Sequence, residues 1–91
     1  MVKMRFKTAC INEFKTIFAK NQAKILANKG CEHLELLQDV NDPQVFFTFS
    51  LWQSEADLNQ YRTSDLFRQV WKNTKVKFET KAEAWSLNQV Q

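Results

Sequence analysis

The segment VFFTFSLW, residues 45–52, restricts the fold of this chain more than any other stretch of its sequence. Its β-branched and aromatic side chains are typical of a central β-strand. Successive side chains of a strand point to opposite faces of the sheet. One face therefore receives Val45, Phe47, Phe49 and Leu51, and the other receives Phe46, Thr48, Ser50 and Trp52. Because both sets contain large apolar groups, both faces of the sheet need a cover.

The first half of the chain supplies two further elements and a turn. In residues 2–6, apolar side chains alternate with basic ones, which predicts a strand with one buried face. Between positions 10 and 30, apolar residues recur at helical spacing, and Gly30 lies where a left-handed residue would end that helix. Residues 31–40 are predicted to form the second strand, and Asn41-Asp42-Pro43 the turn that follows it.

The second half predicts two helical segments and a last strand. Ser54-Glu55-Ala56-Asp57 has the form of a capping box, and Thr63 or Ser64 can cap a second helix. The apolar stripe of that helix is Phe67, Val70, Trp71, Thr74 and Phe78. EAWSL, residues 83–87, is predicted to be a short strand. The resulting order is βαββαβ, with the second helical segment broken near Arg62, which indicates an α+β ferredoxin-like sandwich with an antiparallel sheet.

The second strand also carries large apolar side chains on both of its faces. Leu34 and Leu36 point to the side opposite Cys31, His33, Glu35 and Leu37. The helices cover one face, and the simplest cover for the other is a second copy of the sheet. We therefore expect a homodimer.

Length and composition fit this interpretation. The 91 residues suit a single domain spanning 1–91, whose core is thin. Eight Phe and three Trp are more aromatic surface than such a core needs, so some of it is expected in a pocket or an interface. The formal charge is +3, but basic residues are mixed with acidic ones. A solvated face explains Lys72, Lys75, Lys77 and Lys81 better than a nucleic-acid patch.

The sequence also bears on location and on metal chemistry. No segment resembles a signal peptide or approaches the ~20 apolar residues of a membrane span, so we expect a cytoplasmic protein without membrane contact. Cys10 and Cys31 do not form a CxxC pair and are expected to be free thiols. His33 is the only histidine, and no ligand set surrounds it, so no metal site is predicted.

Two segments resemble a known family. GCEHLELL, residues 30–37, and FFTFSLWQSEADLNQYRTSDLF, residues 46–67, are similar to the antibiotic biosynthesis monooxygenase domain family. The resemblance implies a dimeric α+β barrel, in which two sheets pack face to face. Members of that family include cofactor-independent oxygenases of polycyclic phenols and quinols, haem-degrading oxygenases, and proteins without known activity.

The chain departs from the family pattern at two positions that matter for activity. Many quinol-oxidising relatives carry His where this chain has Tyr61. Haem-degrading relatives carry Trp there and a haem-ligating His ten residues later, where this chain has Trp71. They also carry an Asn in the first strand, and residues 1–7 contain none. The resemblance therefore disfavours haem degradation, and no cofactor is expected.

The predicted site combines aromatic walls with a few polar groups. Tyr61 and Arg62 are the candidate catalytic residues, because they could hold or polarise a phenolate. The Tyr61 hydroxyl could instead be satisfied by neighbours on its helix, and Arg62 could be a solvated or ion-paired surface residue. Trp52, Phe67 and Trp71 are the candidate residues for stacking on a substrate ring, although all three could instead be helix-to-sheet core. His33 is also a candidate substrate-binding residue, but its strand face favours a structural or interface role.

These observations lead to two functional hypotheses. The first is a small cofactor-independent monooxygenase that acts on an aromatic or quinol-type molecule. The alternative is a non-catalytic homodimeric module on the same fold, which binds a small aromatic ligand or serves a stress-related role. A haem-binding variant ranks below both.

Overall fold

A four-stranded antiparallel sheet forms the framework of the fold in the computed structural model, which describes residues 1–87 and 90. The strands are β1 (Val2–Arg5), β2 (Cys31–Gln38), β3 (Val45–Trp52) and β4 (Glu83–Ala84). They lie in the order β2-β3-β1-β4, and all neighbouring pairs are antiparallel. This is the ferredoxin-like α+β arrangement that the sequence predicted.

Three α-helices and one short 3-10 turn connect the strands in the described residues. The turn is Thr8–Cys10, and the helices are α1 (Ile11–Leu26), α2 (Glu55–Arg62) and α3 (Asp65–Lys75). The Ser54 hydroxyl accepts a hydrogen bond from the Asp57 amide, and the Ser64 hydroxyl accepts one from the Phe67 amide, each over 3.2 Å. These bonds satisfy amides of the first turn, as expected for N-caps. None of the helices in this described part is long and apolar enough to cross a membrane.

The first helix ends earlier than its apolar pattern predicted. Its last residue is Leu26, and Gly30 lies beyond it, directly before β2, with a φ of 84°. The reason is the side chain of Asn28, whose amide donates to the carbonyls of Lys24 and Ile25 over 3.1 and 3.0 Å. These bonds replace backbone bonds that a further helical turn would supply. Gly30 therefore turns the chain into β2 and does not cap α1.

The end of the chain also differs from the prediction. The last strand covers only Glu83–Ala84 and not residues 83–87, and it pairs with Val2 and Lys3. Phe78 lies beyond α3 and forms an isolated β-bridge with Phe6. It therefore belongs to the core below the helix and not to the stripe of the helix itself.

Aromatic residues dominate the core. Phe6 is completely buried, and Phe46 is 1% exposed. The Phe6 ring stacks on Phe14 of α1 with centroids 4.1 Å apart, and both rings contact Phe46 of β3 edge-on. Met4 completes this buried cluster. The cluster joins the helix to the two central strands, and truncating one such ring to Ala typically costs about 3–5 kcal/mol.

A β-bulge at the start of β2 changes which side of the sheet Cys31 faces. His33 pairs with Leu51, but Cys31 pairs with Trp52, so the register shifts by one residue between them. Paired residues lie on the same face. Cys31 therefore shares the helix-covered face with Trp52, whereas the simple alternation placed it beside His33. The extra residue of a bulge inverts the alternation on one side of it.

The opposite face of the sheet is not covered by the helices. Leu37 and Leu51 on this face are 41% and 47% exposed. His33 lies here too, with its ring 6.1 Å from that of Phe49. We call this surface the open face. It is the surface that the predicted second copy would cover.

Gly30→Ala is expected to lower the free energy of unfolding by about 1–3 kcal/mol, because a φ of 84° strains any other residue. In addition, a Cβ at this position would overlap the side chain of Asp57 in the first turn of α2. Urea denaturation measures the change.

The Asp57→Gly background separates these two effects. It removes the overlapping atoms, so Gly30→Ala should cost less there and retain only the backbone strain. An equal cost in both backgrounds would show that Asp57 and Gly30 do not constrain each other.

Candidate functional site

A cavity of about 890 Å³ lies between the helices and the helix-covered face of the sheet. Its lining includes residues 48–52 of β3, residues of all three helices and residues 85–87. Among the lining residues are Thr48, Ser50, Trp52, Tyr61, Arg62, Phe67 and Trp71. The cavity is large enough for a small polycyclic molecule, since ligand pockets usually measure roughly 300–1,000 Å³.

Four aromatic side chains line this cavity as a continuous surface, which we call the aromatic wall: Trp52, Tyr61, Phe67 and Trp71. Tyr61 stacks on Trp52 with centroids 5.3 Å apart and meets Phe67 edge-on at 5.3 Å. The Phe67 and Trp71 rings are nearly parallel, at 7° and 6.0 Å. All four are half-buried. These rings pack on one another and also face the cavity, so a packing role does not prevent them from lining a site, and their binding of a substrate ring stays a prediction.

The local structure explains why these side chains meet. Trp52 is the last residue of β3, and α2 begins three residues later under the Ser54 cap. Tyr61 is near the end of α2. Beyond it, the Ser64 hydroxyl donates a hydrogen bond to the Tyr61 carbonyl over 2.6 Å and also caps α3, so the chain turns between the two helices. The sharp turn brings Phe67 and Trp71, one turn apart on α3, against the same face.

Tyr61 is a neutral hydrogen-bond donor at ordinary pH. Burial raises the pKa of its phenol to about 12, and the nearby Cys31 adds to the shift. Burial also raises the pKa of the Cys31 thiol, although a contact with the His33 carbonyl opposes this. Both groups therefore stay protonated near neutral pH, and Tyr61 can donate a hydrogen bond but cannot act as a base there.

Arg62 and His33 have different relations to the cavity. Arg62, the last residue of α2, lines the cavity with an exposed side chain, so it brings a positive charge to the edge beside Tyr61. His33 does not line the cavity: it lies on the open face, 3.5 Å from the carboxylate of Glu35, with its side chain 46% exposed. The structure thus brings together five of the six predicted residues and leaves His33 apart, because it points away from Leu34 and the helices.

Sequence reasoning did not select two polar residues of the cavity lining. Thr48 and Ser50 both line the cavity, and Ser50 Oγ accepts a hydrogen bond from Trp52 Nε1 over 3.1 Å. The alternation of β3 already placed them on the face of Trp52, so a signal was present in the sequence. The prediction selected four aromatic side chains for the site and not these small hydroxyl side chains.

Tyr61 also borders a second, smaller and more polar cavity. This cavity measures about 240 Å³ and is lined in addition by Asn28, Lys29, Asp57, Gln60 and Ser64. Within residues 1–87 and 90, no three His, Cys, Asp or Glu side chains cluster as metal ligands do.

Comparison with known proteins identifies relatives of this fold. A family model described as antibiotic biosynthesis monooxygenase matches residues 1–73. No curated protein matches the chain. A proposed antibiotic biosynthesis monooxygenase from Caulobacter crescentus CB15 superposes with a TM-score of 0.91 at 21% identity, covering 99% of this chain and 86% of its own.

Two further solved structures have the same fold. A conserved protein from Methanosarcina mazei Go1 gives a TM-score of 0.86 at 21% identity, covering 90% of this chain and 81% of its own. A conserved protein of unknown function from Bacteroides thetaiotaomicron VPI-5482 gives 0.80 at 20% identity, covering 90% and 87%. At these identities the likeness shows the fold alone.

The environment of Tyr61 predicts an unusual titration. Tyr61 is the only tyrosine in the chain, so the near-ultraviolet absorbance of tyrosinate reports on it directly. The midpoint should lie near 12 in the folded protein, where burial raises the pKa, and near about 10 in denaturant. Because folding favours the neutral phenol, the folded protein should lose stability as the pH rises above about 10.

Circular dichroism at each pH is the control that shows whether the protein is still folded. A midpoint near that of the denatured chain, in protein that is still folded, would contradict the burial of the phenol.

Proposed function

We propose a function from one established premise, that this chain belongs to the antibiotic biosynthesis monooxygenase family. The proposed activity is cofactor-independent monooxygenation of a small aromatic phenol or quinol-type compound. The observation that carries the proposal is the aromatic wall, which faces a cavity of about 890 Å³ with a phenol hydroxyl and a guanidinium at its edge. Apolar cavities with a few convergent polar groups are the usual sites for such molecules.

Binding would rest on ring stacking. A flat substrate can lie against Trp52 and Trp71, whose indole faces prefer offset or edge-on contacts with other rings. Its hydroxyl would point towards Tyr61 and Arg62. This arrangement uses the apolar walls for affinity and the two polar groups for orientation.

Ionisation of the substrate is the step that these polar groups would favour. The charge of Arg62 stabilises a phenolate over the neutral phenol, and the protonated Tyr61 can donate a hydrogen bond to the phenolate oxygen. Since the pKa of Tyr61 is about 12, the substrate proton goes to water or buffer and not to Tyr61. The resulting anion is electron-rich enough to react with oxygen while the apolar walls exclude water.

The proposed oxidation needs no reductant other than the substrate itself. The anion adds O₂ at a ring carbon that carries hydrogen, and protonation gives a hydroperoxide. Cleavage of the O–O bond leaves one oxygen on carbon as a carbonyl, and the second oxygen leaves as water. The substrate loses four electrons, two when the phenolate adds O₂ and two from the C–H bond when the O–O bond breaks, and one O₂ is consumed per molecule.

Oxygen uptake with a panel of naphthols, quinols and anthrones tests the activity. One O₂ should be consumed per product, with one labelled oxygen in the product and no hydrogen peroxide released. Tyr61→Phe, which keeps the ring but loses the hydroxyl, should lower kcat/KM about 10- to 100-fold, the worth of a hydrogen bond to a charged oxygen. Gln60→Ala, on the same helix but in the smaller cavity, is the matched control.

The other outcomes separate the alternatives. Binding of these compounds without oxygen uptake would favour the non-catalytic ligand-binding module. If every compound is inert and Tyr61→Phe changes neither binding nor rate, the enzyme proposal should be abandoned. A Soret shift on adding haem would favour the haem-binding variant.

We further propose that a second copy of the chain covers the open face. Leu37 and Leu51 are exposed there beside the half-buried Phe47 and Phe49. Of the two basic residues that β1 places on this face, Lys3 and Arg5, the guanidinium of Arg5 is neutralised by ion pairs with the carboxylates of Asp42 and Glu79. An apolar surface without unpaired Arg charge can pack against its own copy at low desolvation cost.

Leu51→Glu tests this dimer. The unmodified protein should sediment as a dimer at ~10 µM, since an obligate interface of roughly 2,000 Å² or more holds at that concentration. A carboxylate at Leu51 would be buried by the partner and should shift the protein to monomer. Val76→Glu alters another exposed apolar residue, 61% exposed against 47% for Leu51, outside the open face and should leave the dimer intact. A monomeric unmodified protein would contradict the proposal.

A further inference from the structure

The indole of Trp52 is held by a hydrogen bond within its own strand. Trp52 Nε1 donates to Ser50 Oγ over 3.1 Å. The two side chains share a face because they are two residues apart in β3, and both line the cavity. A half-buried indole N–H needs an acceptor. Ser50 therefore fixes the orientation of the Trp52 indole, which belongs to the last residue of β3, where the backbone pairing of the strand ends.

The orientation of Trp52 in turn sets the position of Tyr61. The phenol ring lies on the indole at 5.3 Å with an angle of 24°, and Phe67 contacts the phenol ring edge-on. Opposite Trp52, the bulge in β2 interrupts the regular register, so strand pairing constrains Trp52 less than an interior residue. The hydrogen bond to Ser50 replaces part of this lost constraint.

We propose that Ser50 is a positioning residue: the bond that it accepts from Trp52 fixes the indole on which Tyr61 stacks, and so sets the affinity of the cavity for flat aromatic phenols. This role rests on the proposed function, because it assumes that the cavity binds such molecules. Ser50 acts through Trp52 and Tyr61.

The experiment compares Ser50→Ala with Thr16→Val, which also removes one hydroxyl but at an exposed residue of α1 that does not line the cavity. Near-ultraviolet circular dichroism reports the coupled indole and phenol in the free protein. Calorimetric titration with β-naphthol measures the Kd of the cavity for a flat aromatic phenol. Ser50→Ala should change the spectrum and raise the Kd about fivefold, the usual worth of one hydrogen bond. Ser50→Thr, which keeps the hydroxyl, should leave both the spectrum and the Kd close to those of the unmodified protein, and Thr16→Val should change neither.

A Trp52→Phe background tests the coupling directly. With the indole N–H gone, Ser50→Ala should have no further effect on the Kd. A merely structural role for Ser50 would persist in this background, so an undiminished effect there would overturn the proposal.

Two results in the unmodified background are also decisive. If β-naphthol binds the unmodified protein and Ser50→Ala alters neither spectrum nor Kd, or alters the spectrum alone, the positioning role is wrong while the proposed function stands. If β-naphthol and the other phenols of the panel do not bind the unmodified protein at all, the proposed function fails and this role fails with it.

Discussion

The stacking of Phe6 on Phe14 is the contact on which the rest of the structure depends. It joins β1 to α1 at 4.1 Å, and the buried Phe6 also touches Phe46 of β3 and Phe78 after α3. Phe78 then meets Trp71 edge-on at 5.5 Å. The core and the aromatic wall are thus one connected set of rings. A change in core packing is transmitted to the wall, since close-packed side chains cannot shift independently.

Much of this fold follows from patterns that act locally. The order of elements, the two-sided character of β3 and the Ser54 cap were predicted, and Ser64 was one of the two residues predicted to cap α3, because alternation and capping depend on neighbours in sequence. The errors have a different origin. The early end of α1 depends on bonds from the Asn28 side chain, and the bulge in β2 depends on pairing with a strand far along the chain.

The candidate site was likewise predictable where it depends on residue type and spacing, and not where it depends on the folded environment. The aromatic residues could be selected by type and spacing, and the turn at Ser64 explains why they converge. What could not be predicted is their electrostatic state: the raised pKa of Tyr61 comes from burial and from Cys31, which only the folded chain provides. Sequence reasoning considered Tyr61 for holding a phenolate. In the structure its phenol stays protonated near neutral pH, so Tyr61 can donate a hydrogen bond there but cannot act as a base.

The bulge at the start of β2 has a consequence for insertions and deletions. Along one strand, Cys31 belongs to the helix-covered face, while His33 and Leu37 belong to the open face. Loss of Glu32, the extra residue, would restore regular alternation and leave Cys31 on the helix-covered face, because neighbouring residues of a strand point to opposite faces. An extra residue between Leu51 and Trp52 would also remove the bulge, but it would turn both Trp52 and Cys31 to the surface where a second copy is proposed to pack.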